Sequence, residues 1–352
     1  MKEEEKLIKG RGAQFNTINR FLNTSVSKEE VTGIDEWIED DIKTIYLEDH
    51  SKSLVNKVTS PDVGMEYSMN PYQGCEHGCI YCYARNSFEY WGYSAGIDFE
   101  SKIIVKKNAP ALLRKFLMNP KWDAATLNLS GNTDCYQPAE RKFGITRELL
   151  KVCREFNQPV AIITKNSGVL RDIDLLNDLN KHKLTAVMVT ITSQNEDLRQ
   201  KMEPRTTTAK QRFKIIENLS SLGIPAGIMI GPVIPGLNDH EIHDLLKTAS
   251  DAGAITAGYT FVRLNGSVKL LFHDWLHKTF PDRADKVWHM IESGHKGKVN
   301  DSEFGRRMRG EGPIADMVNM QFKKYREKYK LNQHFELNRS KFFRPGQQLS
   351  LF

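Results

Sequence analysis

Three of the five cysteines, Cys75, Cys79 and Cys82, fall within eight residues. The stretch reads Asn70-Pro71-Tyr72-Gln73-Gly74-Cys75-Glu76-His77-Gly78-Cys79-Ile80-Tyr81-Cys82-Tyr83. Thiolates are soft donors suited to zinc or to iron–sulfur centres. Glycine stands before the first and the second cysteine, and it permits the dihedrals of a loop that wraps an inorganic cluster. Structural zinc needs four ligands. His77, crowded between two cysteines, is the one local fourth candidate, while Cys135 and Cys153 are far off in sequence. Buried, unliganded cysteines would not need flanking glycines. A four-iron cluster held by three thiolates fits best, with one iron left open. An open coordination position marks a catalytic metal site rather than a structural one.

Elements that could carry such a loop follow it. Short apolar, β-prone runs occur at Thr126–Leu129, Val160–Thr164, Ala186–Thr192, Ala226–Ile230 and Tyr259–Leu264. Helix-like segments alternate with them at Thr146–Phe156, Asp172–His182, Thr208–Leu222 and Asp239–Ala252. The last opens on an N-cap pattern, Asn238-Asp239 followed by Glu241. Alternation at this spacing predicts βα units around a parallel sheet. Right-handed crossovers then bring all strand C-termini to one face, where such folds place their chemistry. Residues 1–63 read as an N-terminal extension of weak pattern, 64–265 as the core, 266–345 as a helical basic region and 346–352 as an exposed tail.

The cysteine spacing x3 then x2, with an aromatic before the last cysteine, resembles the signature of the radical S-adenosylmethionine (SAM) superfamily. The wider string from Asn70 to Arg85 is similar to the branch related to spore photoproduct lyase. The resemblance spans roughly residues 64–345. It implies a partial (β/α)6 barrel of the TIM-like type and a 4Fe-4S cluster on Cys75, Cys79 and Cys82. It also implies SAM chelated by the open iron. Reductive cleavage of SAM then yields methionine and a 5′-deoxyadenosyl radical that abstracts hydrogen from substrate. The cofactor carries the hard chemistry, and the protein aims it.

The resemblance also assigns SAM contacts. Ser130, Gly131, Asn132, Thr133 and Asp134 follow the first run and are expected near the SAM amino group, with Asp134 able to pair with an ammonium. Lys165 is expected at the SAM carboxylate. Thr190, with Thr192 and Ser193 behind it, is expected at the ribose, and Glu203 and Arg205 as a charged clamp. The backbone of Tyr81 and the segment Gly231–Gly236 are expected at the adenine. Cys135 lies where related lyases keep a cysteine that returns hydrogen to product, although its placement is offset. On the residues alone, a glycine–asparagine turn, an exposed lysine and a passive thiol explain the same positions.

Hydrophobic residues make up 39% of the 352, charged residues 27%, and the net charge is +6. This composition excludes a disordered, collagen-like or coiled-coil chain. No apolar stretch reaches the roughly 18 residues of a membrane span, and the acidic start predicts a cytoplasmic protein. Residues 1–66 hold 9 basic and 14 acidic residues, while 296–352 hold 13 basic and 6 acidic. The basic end could face nucleic acid or be a solvated surface. Gln348, Leu349, Leu351 and Phe352 resemble the peptide by which bacterial repair proteins bind the DNA sliding clamp, or else dock on their own domain. Three readings stay open. One is a radical enzyme on damaged DNA, reduced by a flavodoxin or ferredoxin-like donor. Another is a radical enzyme on a peptide, protein or small molecule. The third is a non-catalytic, cluster-bearing clamp accessory.

Overall fold

The computed structural model describes residues 7–22 and 42–346. The tail from Gln348 to Phe352 lies outside the described residues. Among the described residues ten strands form two sheets: β1 (Ile45–Glu48), β2 (Val55–Lys57), β3 (Tyr67–Met69), β4 (Tyr72–Gln73), β5 (Lys102–Val105), β6 (Leu127–Leu129), β7 (Val160–Thr164), β8 (Thr185–Thr190), β9 (Ala226–Val233) and β10 (Thr256–Phe261). The large sheet has the order β10-β9-β8-β7-β6-β3-β2. Its six strands from β10 to β3 are mutually parallel, and β2 pairs antiparallel at the edge. Among the described residues no ladder joins β10 to β2, so the sheet is open, as the partial (β/α)6 barrel requires. The small sheet, β1-β5-β4, lies beside the start of the cysteine loop.

The helices Ile145–Phe156, Ile173–Asn180, Ala209–Ser221 and Ile242–Asp251 separate the strands from β6 to β10. Each buries an apolar stripe against the sheet. In Ala209–Ser221 the stripe is Ala209, Phe213, Ile215, Ile216 and Leu219. Thr208 starts that helix, its hydroxyl accepting from the Gln211 amide at 3.3 Å, as an N-cap should. Asn238 is no such cap. Its side chain accepts from the Ile234 amide at 2.6 Å and donates to the Thr192 carbonyl at 2.7 Å, tying two strand ends together. Glu241 likewise turns away from the helix start, accepting from the Ser193 hydroxyl and the Gln194 amide at 2.6 Å each.

For two of the strands that differ from the sequence-based expectation, the physical reason is plain. β3 is three residues long, too short for a periodic signal. β10 runs Thr256–Phe261 rather than Tyr259–Leu264, because Leu264 leaves the ladder and its amide donates to the Val299 carbonyl at 2.8 Å.

The C-terminal region holds the helices Val268–Thr279, Ala284–Ser293 and Pro313–Lys328. Its irregular parts finish the sheet. The Phe261 amide donates to the Met308 carbonyl at 2.9 Å, and the Ala257 amide to that of Leu331 at 3.0 Å. The β10 edge is thereby covered, which removes a template for unwanted strand pairing. Arg307 then reaches the opposite margin, donating to Asp62 and Ser60 at 2.6 Å each. The seam of the open sheet is closed by side chains instead of by a ladder. Beyond Leu331 the chain crosses the N-terminal ends of the strands, with Arg344 anchored on the carbonyls of Leu117, Asn119 and Trp122. No helix among the described residues is long and apolar enough to cross a membrane.

Candidate active site

The cysteine loop leaves the C-terminal end of β3. Gly74 and Gly78 both have positive φ, +74° and +68°. A Cβ on Gly74 would stand 2.5 Å from the Lys102 carbonyl, so the loop's close approach to β5 also demands glycine. Cys75 and Cys79 are buried and Cys82 half-buried. Burial raises all three thiols above the ordinary range, and the Cys75 thiol also feels its two companions.

His77 is not a free ligand. Its Nε2 lies 3.1 Å from the Asn166 amide nitrogen, and its Nδ1 lies 3.5 Å from Asp134. Burial pushes it down to about 4, so it is neutral, Nδ1–H facing the carboxylate. Among the described residues no three His, Cys, Asp or Glu side chains converge on a single metal ion. Mononuclear zinc asks for four ligands about one ion. A cuboidal cluster asks for something different, one thiolate at each of three separate irons, and three buried soft donors on one glycine-shaped loop fit that demand.

The loop is held from below by Arg85, which is completely buried. Its guanidinium donates to the carbonyls of Cys79 at 3.0 Å and Gly78 at 3.2 Å, and to the Glu100 carboxylate at 2.5 Å. Gln137, also fully buried, clamps the other end. It donates to the Gly74 carbonyl and accepts from the Glu76 amide, both at 3.0 Å. Neither role is visible in spacing or periodicity, although Arg85 stands within the motif string.

The residues Ser130 to Asp134 follow β6 and lock onto the same loop. Ser130 takes a positive φ of 71° and its hydroxyl accepts from the Cys135 amide at 2.7 Å. The Gly131 carbonyl accepts from the Tyr83 hydroxyl at 2.6 Å. Asn132 donates to Gln73 and Ser87, and Thr133 to the Tyr72 carbonyl. The Asp134 carboxylate accepts from the Thr164 hydroxyl, the Lys165 amide and the Tyr136 amide at 2.8 Å each. Asp134 is thus spent on aligning the ends of β6 and β7.

Behind the cysteines sits a buried polar hub. Glu203 is completely buried. It accepts from the Tyr81 hydroxyl, from Thr192 at 2.9 Å and from Arg212 at 2.6 Å. Burial pushes the Glu203 carboxyl up, but Arg212 and Lys165 outweigh it and bring it down to about 2. Arg212 also donates to the Thr190 carbonyl at 2.9 Å, so the end of β8 is gripped by the helix Ala209–Ser221. The Lys165 ammonium stands 5.9 Å from the centre of the Tyr81 ring. Its charge also reaches Cys79 and Cys82. Sequence reasoning missed Arg212. The available signal was a charged residue on the apolar stripe of its helix.

Among the expected SAM contacts, the fold gathers Tyr81, Lys165, Thr190, Thr192 and Glu203 around the cysteine loop. Ser193 turns to Glu241. Arg205 turns to the N-terminal segment, its Nε donating to the Gly10 carbonyl at 3.1 Å and its guanidinium 3.8 Å from Glu76. Cys135 is completely buried in the hydrophobic core, with its thiol raised by burial. The Gly231–Pro232 bond is cis, within β9.

The comparisons with known proteins bear on the family and the fold. The family model of the radical SAM superfamily matches residues 69–249, just over half of the chain. An uncharacterized protein of Mycobacterium tuberculosis is 30% identical over 69% of this chain and 72% of its own length. The radical SAM Nalpha-GlyT isomerase of Pseudomonas phage M6 is 26% identical over 64% of this chain and 46% of its own. A solved structure of spore photoproduct lyase with a dinucleoside spore photoproduct superposes with a TM-score of 0.60 at 15% identity, covering 85% of each chain. The fold is therefore that of the lyase, while its substrate does not transfer on this likeness. Three thiols on a glycine-shaped loop, at the C-terminal face of six parallel strands, are what a family built around a 4Fe-4S cluster and SAM requires, and this chain belongs to the radical SAM superfamily.

Proposed function

We propose that the protein is a radical SAM enzyme that acts on nucleic acid, with damaged DNA as its substrate. When bound, the cluster and SAM supply a 5′-deoxyadenosyl radical that takes hydrogen from substrate. Cys75, Cys79 and Cys82 would hold the cluster, with Lys165 a cation for the SAM carboxylate and Thr190 and Thr192 near the ribose. The hub of Glu203, Arg212 and Tyr81 keeps these strand ends in place. A flavodoxin or ferredoxin-like protein is the electron donor that this chemistry calls for.

The observation that carries the nucleic-acid reading is the arginine content of the chain that follows β10, which begins at Arg263. Arg263 follows β10, and its charge is felt at the hydroxyl of Tyr83, the half-exposed neighbour of Cys82. Arg306, Arg307 and Arg309 lie on the segment that closes the seam next to it. Arg306 and Arg307 are paired with Asp301 and Asp62, so contact with a phosphate backbone would exchange those partners, and a base held above the loop would have left its stack. The tail Gln348–Phe352 is read as a sliding-clamp peptide that would recruit the enzyme to DNA.

The test is anaerobic reconstitution, reduction, and turnover against a panel of damaged oligonucleotides. The expected result is 5′-deoxyadenosine formation that is stimulated by one lesion and acquires deuterium from it. Turnover that ignores every oligonucleotide but responds to a peptide or small molecule would overturn the substrate. Cluster binding without any deoxyadenosine would leave the accessory role. Clamp capture that survives deletion of residues 348–352 would remove the tail from the proposal.

A further inference from the structure

The outer side of the cysteine loop is covered by a segment that the sequence marks as unpatterned. Residues 8–19 run across it in extended, irregular form. Gly12 lies so close to the Gly78 carbonyl that a Cβ there would stand 1.9 Å from its oxygen. The amides of Gly12 and Ala13 donate to the two oxygens of the Glu100 carboxylate, at 3.0 and 2.8 Å. This is the carboxylate that holds Arg85, and Arg85 in turn holds the Gly78 and Cys79 carbonyls. Arg11 donates to the Glu100 carbonyl at 2.6 Å. On the other flank Arg205 bridges the strap to the loop, its side chain on the Gly10 carbonyl and its amide on that of His77.

The contact continues along the chain that follows the cysteines. A Cβ on Gly96 would stand 2.0 Å from the Phe15 carbonyl. Asn16 exchanges hydrogen bonds with Asp98. The Asn19 side chain donates to the Glu89 carbonyl at 2.9 Å and to that of Tyr93 at 3.0 Å. Arg11, Ala13, Thr17 and Asn19 are buried by this docking.

Glu100 and Arg85 are both completely buried. A buried carboxylate needs its remaining acceptor sites filled. The strap's two amides fill them, and thereby fix the carboxylate that fixes the guanidinium that fixes the loop. We infer that residues 8–19 are a docked strap that holds the cysteine loop in its cluster-binding shape and screens its outer face from solvent and oxygen. The inference rests on the proposed cluster, and Arg11, Gly12 and Glu100 act in it as positioning residues.

The experiment uses the full chain and the single variant Gly12→Val, with a chain lacking residues 1–22 as the second variant. In Gly12→Val, release of the strap is read by proteolysis near Arg11. Two measurements follow it. One is the rate at which iodoacetamide labels Cys75 and Cys79 in the metal-free protein, expected to rise about tenfold when the local cover is lost. The other is the bleaching of cluster absorbance in air, expected to quicken, with less iron retained. The thermal midpoint of the barrel is expected to stay near that of the parent. Parent-like labelling and bleaching with the strap released would overturn the inference. So would loss of the whole barrel in both variants, since the segment would then belong to the folding core. If the parent binds no four-iron cluster, the proposed function fails by itself, and the labelling contrast still decides whether the strap covers the loop.

Discussion

Glu203 shows how much one side chain organises. It joins Tyr81 of the cysteine loop, Thr192 beyond β8 and Arg212 of the next helix. Removing its charge strands a buried guanidinium, a loss of about 3–5 kcal/mol for a broken buried pair. Glu203→Gln is therefore expected to lower the urea midpoint strongly, and Glu203→Gln combined with Arg212→Met to recover part of the loss. The acid limb follows the same logic. The carboxyl is ordinary at 4.5 in the unfolded chain and about 2 when folded. Its contribution is complete above 4.5 and fades as pH falls towards 2, so the parent loses more stability than Glu203→Gln across that window. At the metal, Cys79→Ala is expected to abolish both four-iron uptake and deoxyadenosine formation while keeping the barrel's circular dichroism. A variant with full iron content would refute the ligand assignment.

At the scale of elements, the cysteine loop depends on backbone shape. Gly78 has a φ of +68°, and a Cβ there would meet a Glu100 oxygen at 2.8 Å. Gly92 has a φ of +81° with nothing within 4 Å. Both carry the left-handed penalty of about 1–2 kcal/mol for a residue with a Cβ. Only Gly78 adds a collision with a buried carboxylate. Gly78→Ala is therefore expected to lower the thermal midpoint further than Gly92→Ala and to reduce iron uptake. Equal shifts in the two would show that the contact has room to relax.

At the scale of the whole molecule, the open sheet is closed by the C-terminal region. Arg307 pairs with Asp62, Arg306 with Asp301, and the Leu264 amide depends on Val299. Arg307→Ala is expected to speed hydrogen exchange at the Phe261 and Leu264 amides while leaving β7 and β8 protected. Unchanged exchange would mean that the seam does not need the bridge. The hydrogen bond from Arg306 brings Asp301 down to about 2 from an ordinary 3.8. That part of the seam's stability is present above 3.8 and is lost as pH falls through about 2. Arg307 also stands in the segment proposed for nucleic acid, so its loss is expected to reduce the salt dependence of oligonucleotide binding by about one counterion.

The sequence by itself determined the chemistry and the layers. Three thiols at x3 and x2 spacing, with a glycine before the first and before the second, are local facts that survive any folding detail. The βα alternation from Val160 onward reports burial on every turn, and the observed strands and helices follow it closely. Tertiary structure alone decided what the charged residues do. Arg85, Glu100, Arg212 and Gln137 act by meeting partners that are not neighbours in sequence, and no periodicity encodes such a meeting. It also decided that Asp134 and Arg205 spend their side chains on alignment and docking, and that the weakly patterned start of the chain lies against the cysteine loop. An extended strap held by backbone amides has no side-chain rhythm to announce it, so only the folded molecule could place it there.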